Sequence, residues 1–255
     1  MDLGLTDKTA LVLGGSAGLG FGAALTLAAE GARVALAARD PQRLQDAATC
    51  LNGIALPCDL TDPDAVAGLV PAAKQALGRI DILVLNAGGP PPLSASMNDP
   101  ALWRAQFDAM VLSAINMTSA CLPEMRARRF GRVILIASTS IIEPIPGLVL
   151  SNALRAGLQG WAKTLAGEVA RDGITVNTVL PGRLLTDRTR RLDAADAKEA
   201  GVDVAEISRA AEAEIPLGRY GTPEEFGALI AFLASTKASY VTGTKIPVDG
   251  GLLRS

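Results

Sequence analysis

The sequence predicts an α/β fold: a doubly wound parallel sheet in a single domain spanning 1–255, with helices on both faces and so three layers. Three observations predict it. Short runs rich in Val, Ile, Leu and Ala alternate with helical segments of about ten residues or more. The runs are almost wholly apolar, as strands covered on both faces are. The first run leads into a glycine cluster and then a helical pattern, a strand–loop–helix unit.

Residues 9–13 form the first strand. After the glycines, 19–29 has helical periodicity. Residues 33–38 are a second strand, and Pro41 stands where the next helix begins, running to about Ala48. A third strand covers 54–58. Asp62 and Pro63 read as N-cap and first residue of a helix to Leu77. The fourth strand, 82–85, follows Gly78. A long helical region over 100–128 leads to a fifth strand at 132–137. A long helix at 151–171 precedes a sixth strand at 175–180. The segment 186–219 breaks this rhythm. It is rich in Asp, Glu, Arg and Ala, weakly patterned, and punctuated by Gly201 and Pro216, which predicts a mobile helical flap rather than core. Thr222 and Pro223 open a helix over 224–233, and 245–248 is the last strand, before Asp249-Gly250-Gly251.

Composition narrows the chemistry. The net charge of −2 argues against nucleic acid or an anionic membrane surface as partner. Absence of His removes the commonest general base and nitrogen metal ligand, so no metal site is expected. Cys50, Cys58 and Cys121 have no CxxC spacing and are expected as isolated core thiols in a reducing compartment. No signal peptide or membrane-spanning stretch is apparent, so a cytoplasmic protein is expected. Aromatic residues are 4% of the chain, so Ala, Leu, Val and Ile must build the core.

The loop Gly14-Gly15-Ser16-Ala17-Gly18-Leu19-Gly20 lets the backbone turn tightly and approach a pyrophosphate, which a helix N-terminus then attracts. No Gly-Lys-[Ser/Thr] follows, so it is not a P-loop. The spacing of Gly14, Gly18 and Gly20 resembles that of the short-chain dehydrogenase/reductase family, nearest its bacterial 3-oxoacyl-(acyl carrier protein) reductase branch. Four other stretches agree: Asp59-Leu60, Asn86-Ala87-Gly88, Pro181-Gly182 with Leu184 and Thr186, and Gly243 with Asp249-Gly250-Gly251. The family's usual Thr before the first glycine is Leu13 here. The resemblance covers essentially the whole chain. It implies a Rossmann-type sheet and a nicotinamide dinucleotide held by Gly14, Ser16, Ala17, Gly18, Leu19, Gly20, Asp59, Leu60, Asn86, Ala87, Gly88, Pro181, Gly182, Leu184 and Thr186. NADP is expected over the alternative, NAD. Ala38 stands where a ribose-binding carboxylate would repel a 2'-phosphate, and Arg39 follows with a fork of donors suited to phosphate; Asp40 is expected to cap the next helix.

The family's catalytic set is Asn, Ser, Tyr and Lys. The resemblance places the Ser at Ser138, the Tyr position at Ser151, the Lys position at Arg155 and the Asn position at Met110. Ser151 and Arg155 lie one helical turn apart on one face. Arg155 can still bind ribose hydroxyls or pyrophosphate oxygens, but it cannot act as a neutral shuttle. Ser151 lacks the aromatic ring that makes Tyr an acid near pKa 10. Three readings follow: hydride transfer with the proton from water, from Ser151–Ser138, or from Glu143 or Tyr220; binding of NADP(H) as a sensor or partner protein without turnover; or another reaction that uses the nucleotide structurally. A substrate site bounded by 90–96, 140–150 and the flap is expected to take a small carbonyl compound or an acyl thioester. Arg183, Arg188, Arg190 and Arg191 could attract an acidic tail or be solvated flap charges. Family members are commonly homotetramers, which implies a homotetramer or homodimer packing the long helix at 151–171.

Overall fold

The computed structural model describes residues 2–254. Seven strands form one parallel sheet in the order β3-β2-β1-β4-β5-β6-β7: β1 Thr9–Leu13, β2 Arg33–Ala38, β3 Ile54–Pro57, β4 Ile82–Leu85, β5 Gly131–Ile136, β6 Ile174–Pro181 and β7 Lys245–Val248. The chain winds outward from β1 to β3, then returns to lay β4 on the other side of β1. Ala10 pairs with Val34 on one side and with Ile82 on the other. This reversal leaves a crevice at the carboxyl ends of β1 and β4, where doubly wound sheets bind ligands.

Strand side chains alternate between two layers of core. Leu11, Leu13, Leu83 and Leu85 pack on the side of α3 (Pro63–Leu77), α5 (Ser113–Arg128) and α6 (Val149–Val169). Ala10, Val12, Ile82 and Val84 pack on the side of α1 (Gly18–Ala29), α2 (Pro41–Cys50) and α9 (Pro223–Ala234). The core is overwhelmingly aliphatic, as the scarcity of aromatics requires. α1 and α9 cross closely because each helix puts a glycine at the contact. A Cβ on Gly22 would lie 2.6 Å from the Pro223 carbonyl oxygen, and one on Gly227 2.6 Å from that of Gly22.

Local signals set the helix starts. Asp40, Asp62 and Thr222 cap α2, α3 and α9, each with proline in the first turn. Several boundaries differ from the sequence expectation. α6 begins at Val149, two residues before Ser151, and ends at Val169, followed by a 3-10 turn. The helical region at 100–128 is α4 (Pro100–Phe107) and α5 joined by a π-helical turn, Asp108–Leu112. β5 begins at Gly131, and β3 ends at Pro57. Cys50 is exposed on the last turn of α2, so only Cys58 and Cys121 are core thiols. Among the described residues no helix is long and apolar enough to cross a membrane.

Candidate active site

The glycine loop sits at the mouth of the crevice. Gly14 and Gly18 have φ of +59° and +55°, a left-handed backbone that side chains rarely adopt. A Cβ on Gly20 would lie 2.7 Å from Asn86 Nδ2 and would run into the Gly14 carbonyl; one on Gly14 would lie 2.6 Å from the same amide nitrogen. The loop therefore packs on Asn86 too tightly for a side chain at 14 or 20. Asn86 Nδ2 donates to the Gly14 carbonyl at 3.4 Å, tying the end of β4 to the loop after β1. Ser16 and Ala17 precede α1, whose first turn holds Gly18, Leu19 and Gly20.

The adenosine side is bounded by β2 and β3. Arg39 is exposed immediately after β2. Asp40 accepts from the Arg43 amide at 3.1 Å, so its carboxylate serves α2 as expected. Asp59 accepts from the Thr61 amide and hydroxyl, each at 2.9 Å, and the amide bond is the main reason its carboxyl is held below the usual range. Leu60 packs on the core beside it. Opposite, the segment Pro181, Gly182, Leu184 and Thr186 is fixed from two sides. Gly182 N donates to the Val248 carbonyl at 3.0 Å and Leu185 N to that of Gly221 at 2.8 Å. Thr186 caps α7 (Asp187–Ala200), and its side chain lies against Gly18, 3.7 Å from where a Cβ would stand. The two sides of the crevice thus meet over the loop.

The structure brings Ser151 and Arg155 together. Arg155 Nε donates to Ser151 Oγ at 3.3 Å, Nη1 to the Ile136 carbonyl at 2.9 Å and Nη2 to the Ala87 carbonyl at 3.3 Å. The guanidinium so bridges the carboxyl ends of β4 and β5. Burial, and secondly the nearby Arg188, lower its pKa to about 10, which still leaves it cationic at neutral pH. Ser151 is buried. Ser138 follows β5 and caps a 3-10 turn, its Oγ accepting from the Ser140 amide at 3.1 Å, which leaves its proton free. Met110 lies buried in the π-helical turn. It lines a chamber of about 10 Å³ together with Asn86, Ser113, Ile136 and Arg155, room for roughly one water.

The other acids considered do not point at this centre. Glu143 is exposed, and its amide bonds back to Thr139. Tyr220 is buried in the flap's own small core with Ala211 and Ile215, and its hydroxyl donates to Asp193 Oδ2 at 2.9 Å. Burial, then Asp193, raises its pKa, opposite to what an acid catalyst needs. Asp193 is the hub that sequence reasoning missed. It also accepts from Ser208 at 3.1 Å and from Arg183 at 3.4 Å. Its partners are 10, 15 and 27 residues away in sequence, and no local pattern marks it.

Two of the three expected walls of the substrate site enclose a groove. The first two walls are zipped together: Leu93 N donates to the Gly147 carbonyl at 2.8 Å and Val149 N to that of Leu93 at 3.4 Å. They enclose a groove of about 500 Å³ lined by Ala95, Ser140, Ile141, Ile145, Val149 and Asn152. Successive residues of a helix turn by about 100°, so Ala153 in that groove lies on the far side of α6 from Ser151 and Arg155, while Asn152 and Ala156 stand between the two faces. The flap lines none of it. Beside Ser151, Arg155 bonds the Ala87 carbonyl, and Arg188 at the base of α7 bonds that of Gly89.

Known proteins agree with this architecture. The family model described as enoyl-(acyl carrier protein) reductase matches residues 14–253. The 3-oxoacyl-[acyl-carrier-protein] reductase FabG of Escherichia coli K12 is 37% identical over 248 residues, 96% of this chain and 97% of its own length. The structure of L-sorbose reductase from Gluconobacter frateurii, complexed with NADPH and L-sorbose, superposes with a TM-score of 0.95 at 32% identity over the full length of both chains. An actinorhodin polyketide ketoreductase with NADPH gives 0.92 at 30% identity, covering 97% of this chain and 98% of its own. The chain belongs to the short-chain dehydrogenase/reductase family of oxidoreductases.

Proposed function

We propose that this protein is an NADP(H)-dependent oxidoreductase that moves hydride between the nicotinamide and a carbonyl or hydroxyl carbon. The observation that carries this reading is the glycine loop at the switch point of the sheet: Gly14 and Gly20 pack too close to Asn86 and to each other for a Cβ, Gly14 and Gly18 turn with positive φ, and Ser138 stands at the end of β5 with Arg155 across β4 and β5. The fit favours a dinucleotide. The start of α1, with Ser16, Ala17 and Leu19, would take the pyrophosphate, Asp59 and Leu60 the adenine, and Ala87, Gly88 and Arg155 the nicotinamide ribose. Pro181, Gly182, Leu184 and Thr186 would hold the nicotinamide end. Arg39 would meet a 2'-phosphate with no carboxylate at Ala38 to oppose it. The relatives complexed with NADPH support the same choice over NAD.

Bound nicotinamide supplies or accepts the hydride. The chain's own groups position the substrate and balance its charge. The free Ser138 proton can be donated to the carbonyl oxygen. The fixed Arg155 charge opposes the negative charge that develops there as hydride reaches carbon. Ser151 keeps its proton while its oxygen accepts from Arg155, but Arg155 is too strong a base to refill it. The proton that completes the alcohol is therefore drawn from water, with Ser151 and Ser138 as hydrogen-bonding stations. Nothing in the fold or among the relatives favours the reading without turnover.

The substrate we propose is a small carbonyl compound or an acyl thioester. Unpaired thiols at Cys50, Cys58 and Cys121 suit a reducing cytoplasm. The exposed face of α6 at Ala153, Ala156, Gly157 and Gly160 suits packing of a homodimer or homotetramer. Fluorescence titration with NADPH and NADH, followed by a carbonyl screen at fixed NADPH, tests the reading. NADPH is expected to bind more tightly than NADH and Ser138→Ala to lower turnover by about tenfold or more. Failure to bind either nucleotide would sink it.

A further inference from the structure

The chemistry end of the crevice carries two guanidinium groups and no acid to match them. Arg155, from α6, holds the Ala87 carbonyl, and Arg188, from the first turn of α7, donates to the Gly89 carbonyl at 3.2 Å. Both cations are fixed to the same short loop, two residues apart. Gly89 is the seat of the second: a Cβ there would collide with all three nearest guanidinium atoms of Arg188. Among the described residues neither arginine has a carboxylate within 4.0 Å, whereas Arg183 pairs with Asp193 and Arg190 with Asp187. Arg191 Nε is spent on the Asp187 carbonyl. Among the described residues, Arg188 is the flap arginine whose guanidinium bonds the crevice loop, and it has no acid there.

A donor census agrees. Arginine has five N–H donors. Arg155 uses three on Ser151, Ile136 and Ala87, and Arg188 uses one on Gly89. Two like charges held this close repel, and Arg188 is one cause of the lowered pKa of Arg155. An anion with two oxygens relieves the repulsion and accepts the idle donors, as arginine forks do for carboxylates.

We propose that Arg155 and Arg188 form a clamp for a carboxylate carried by the substrate, which makes the preferred substrates of this site keto acids or their hydroxy-acid products. This rests on the oxidoreductase reading and narrows its substrate class. The rival source of anionic oxygen is the cofactor's own phosphates, and the experiment separates the two.

The probe is hexanoate, with hexanamide as its neutral twin, titrated calorimetrically into the protein loaded with NADP+. Hexanoate is expected to bind about tenfold more tightly than hexanamide. Arg188→Met, and separately Gly89→Ala, which unseats the guanidinium and leaves its charge, should each erase that preference with melting temperature and NADPH affinity unchanged. Arg190→Met, whose side chain already serves Asp187, should keep it. Equal binding of the two probes to the parent protein overturns the clamp. So does an Arg188→Met variant that loses NADPH affinity yet keeps the hexanoate preference, which assigns the anion to the cofactor. Should the parent bind no NADPH, the oxidoreductase reading falls, while the same titration without nucleotide still decides whether the two arginines select the carboxylate.

Discussion

The crevice is built from different materials at its two ends. At the nucleotide end the work falls to backbone: N–H groups at the start of α1, left-handed glycines at 14 and 18, and a side chain missing at Gly20. At the chemistry end it falls to side-chain identities: Ser138, Ser151, Arg155 and Met110. Backbone features tolerate change only as glycine, so the first end keeps its pattern. Side chains can be exchanged while the fold stands, and here Arg155 occupies its place by binding two strand-end carbonyls.

The comparison is broken most severely from the nucleotide end. Gly20→Ala puts a Cβ against the Gly14 carbonyl and 2.7 Å from Asn86 Nδ2. Overpacking of this kind costs about 3 kcal/mol, and because the obstacle is main chain it cannot swing aside. NADPH affinity in a fluorescence titration should fall about 100-fold. Gly68→Ala in α3, where a Cβ meets nothing within 4 Å, should leave binding unchanged.

The chemistry end is tested by repair. If the missing group is an acid and the hydride path is whole, the double variant Ser151→Tyr, Arg155→Lys should raise kcat, by about 100-fold, the lower range for a positioned general acid. The gain should appear with a new ionisation in the pH profile of kcat. Unchanged kcat in a folded, NADPH-binding variant would place the obstacle elsewhere, with Met110 next in line.

A smaller effect is expected where the flap is pinned. Asp193 joins Arg183, Ser208 and Tyr220 while almost fully buried. Asp193→Asn leaves Arg183 without its counter-charge, at a cost of about 1–2 kcal/mol because that arginine is partly solvated. Hydrogen exchange should quicken across α7 and α8 (Val204–Ala213) and stay slow in the sheet. Equal exchange in parent and variant would show that helix packing alone holds the flap.

These differences also explain what could be read in advance. Strands, caps and the glycine loop were legible because each is written in adjacent residues: Asp62-Pro63 opens a helix, and Gly14, Gly18 and Gly20 fall within seven positions. The pairing of Ser151 with Arg155 was legible from helical spacing, and the structure closes it with a hydrogen bond. Long-range convergence was not. Asp193 gathers partners from three segments, and the two arginines meet on the loop at 86–89 only because α6 and α7 each bring one to it. The large groove lies between the expected walls at 90–96 and 140–150, and only the flap is missing from its lining. Its residues are neighbours of the catalytic positions in sequence, but Ala153 turns to the opposite face of α6.

The gentlest probe acts behind the nucleotide end. α9 packs on α1, the helix that carries the loop, and its start is held by a capping box: Glu225 N donates to Thr222 Oγ1 at 3.2 Å and Thr222 N to Glu225 Oε2 at 2.9 Å. Arg219 grips the same carboxylate through two bonds of 2.6 and 2.9 Å and is the main reason the Glu225 pKa falls to about 2. The unfolded chain would titrate this group near 4.3. A carboxyl with a depressed folded pKa stabilises fully above the unfolded value and loses that contribution as pH falls towards the folded one. The melting temperature of the parent should therefore drop between about pH 4 and pH 2, and Glu225→Gln should flatten part of that slope. The group is exposed, so added salt should shrink the difference. A slope identical in parent and variant would mean that the cap holds without its charge, and that α1 is supported by the glycine contacts at 22 and 227 alone.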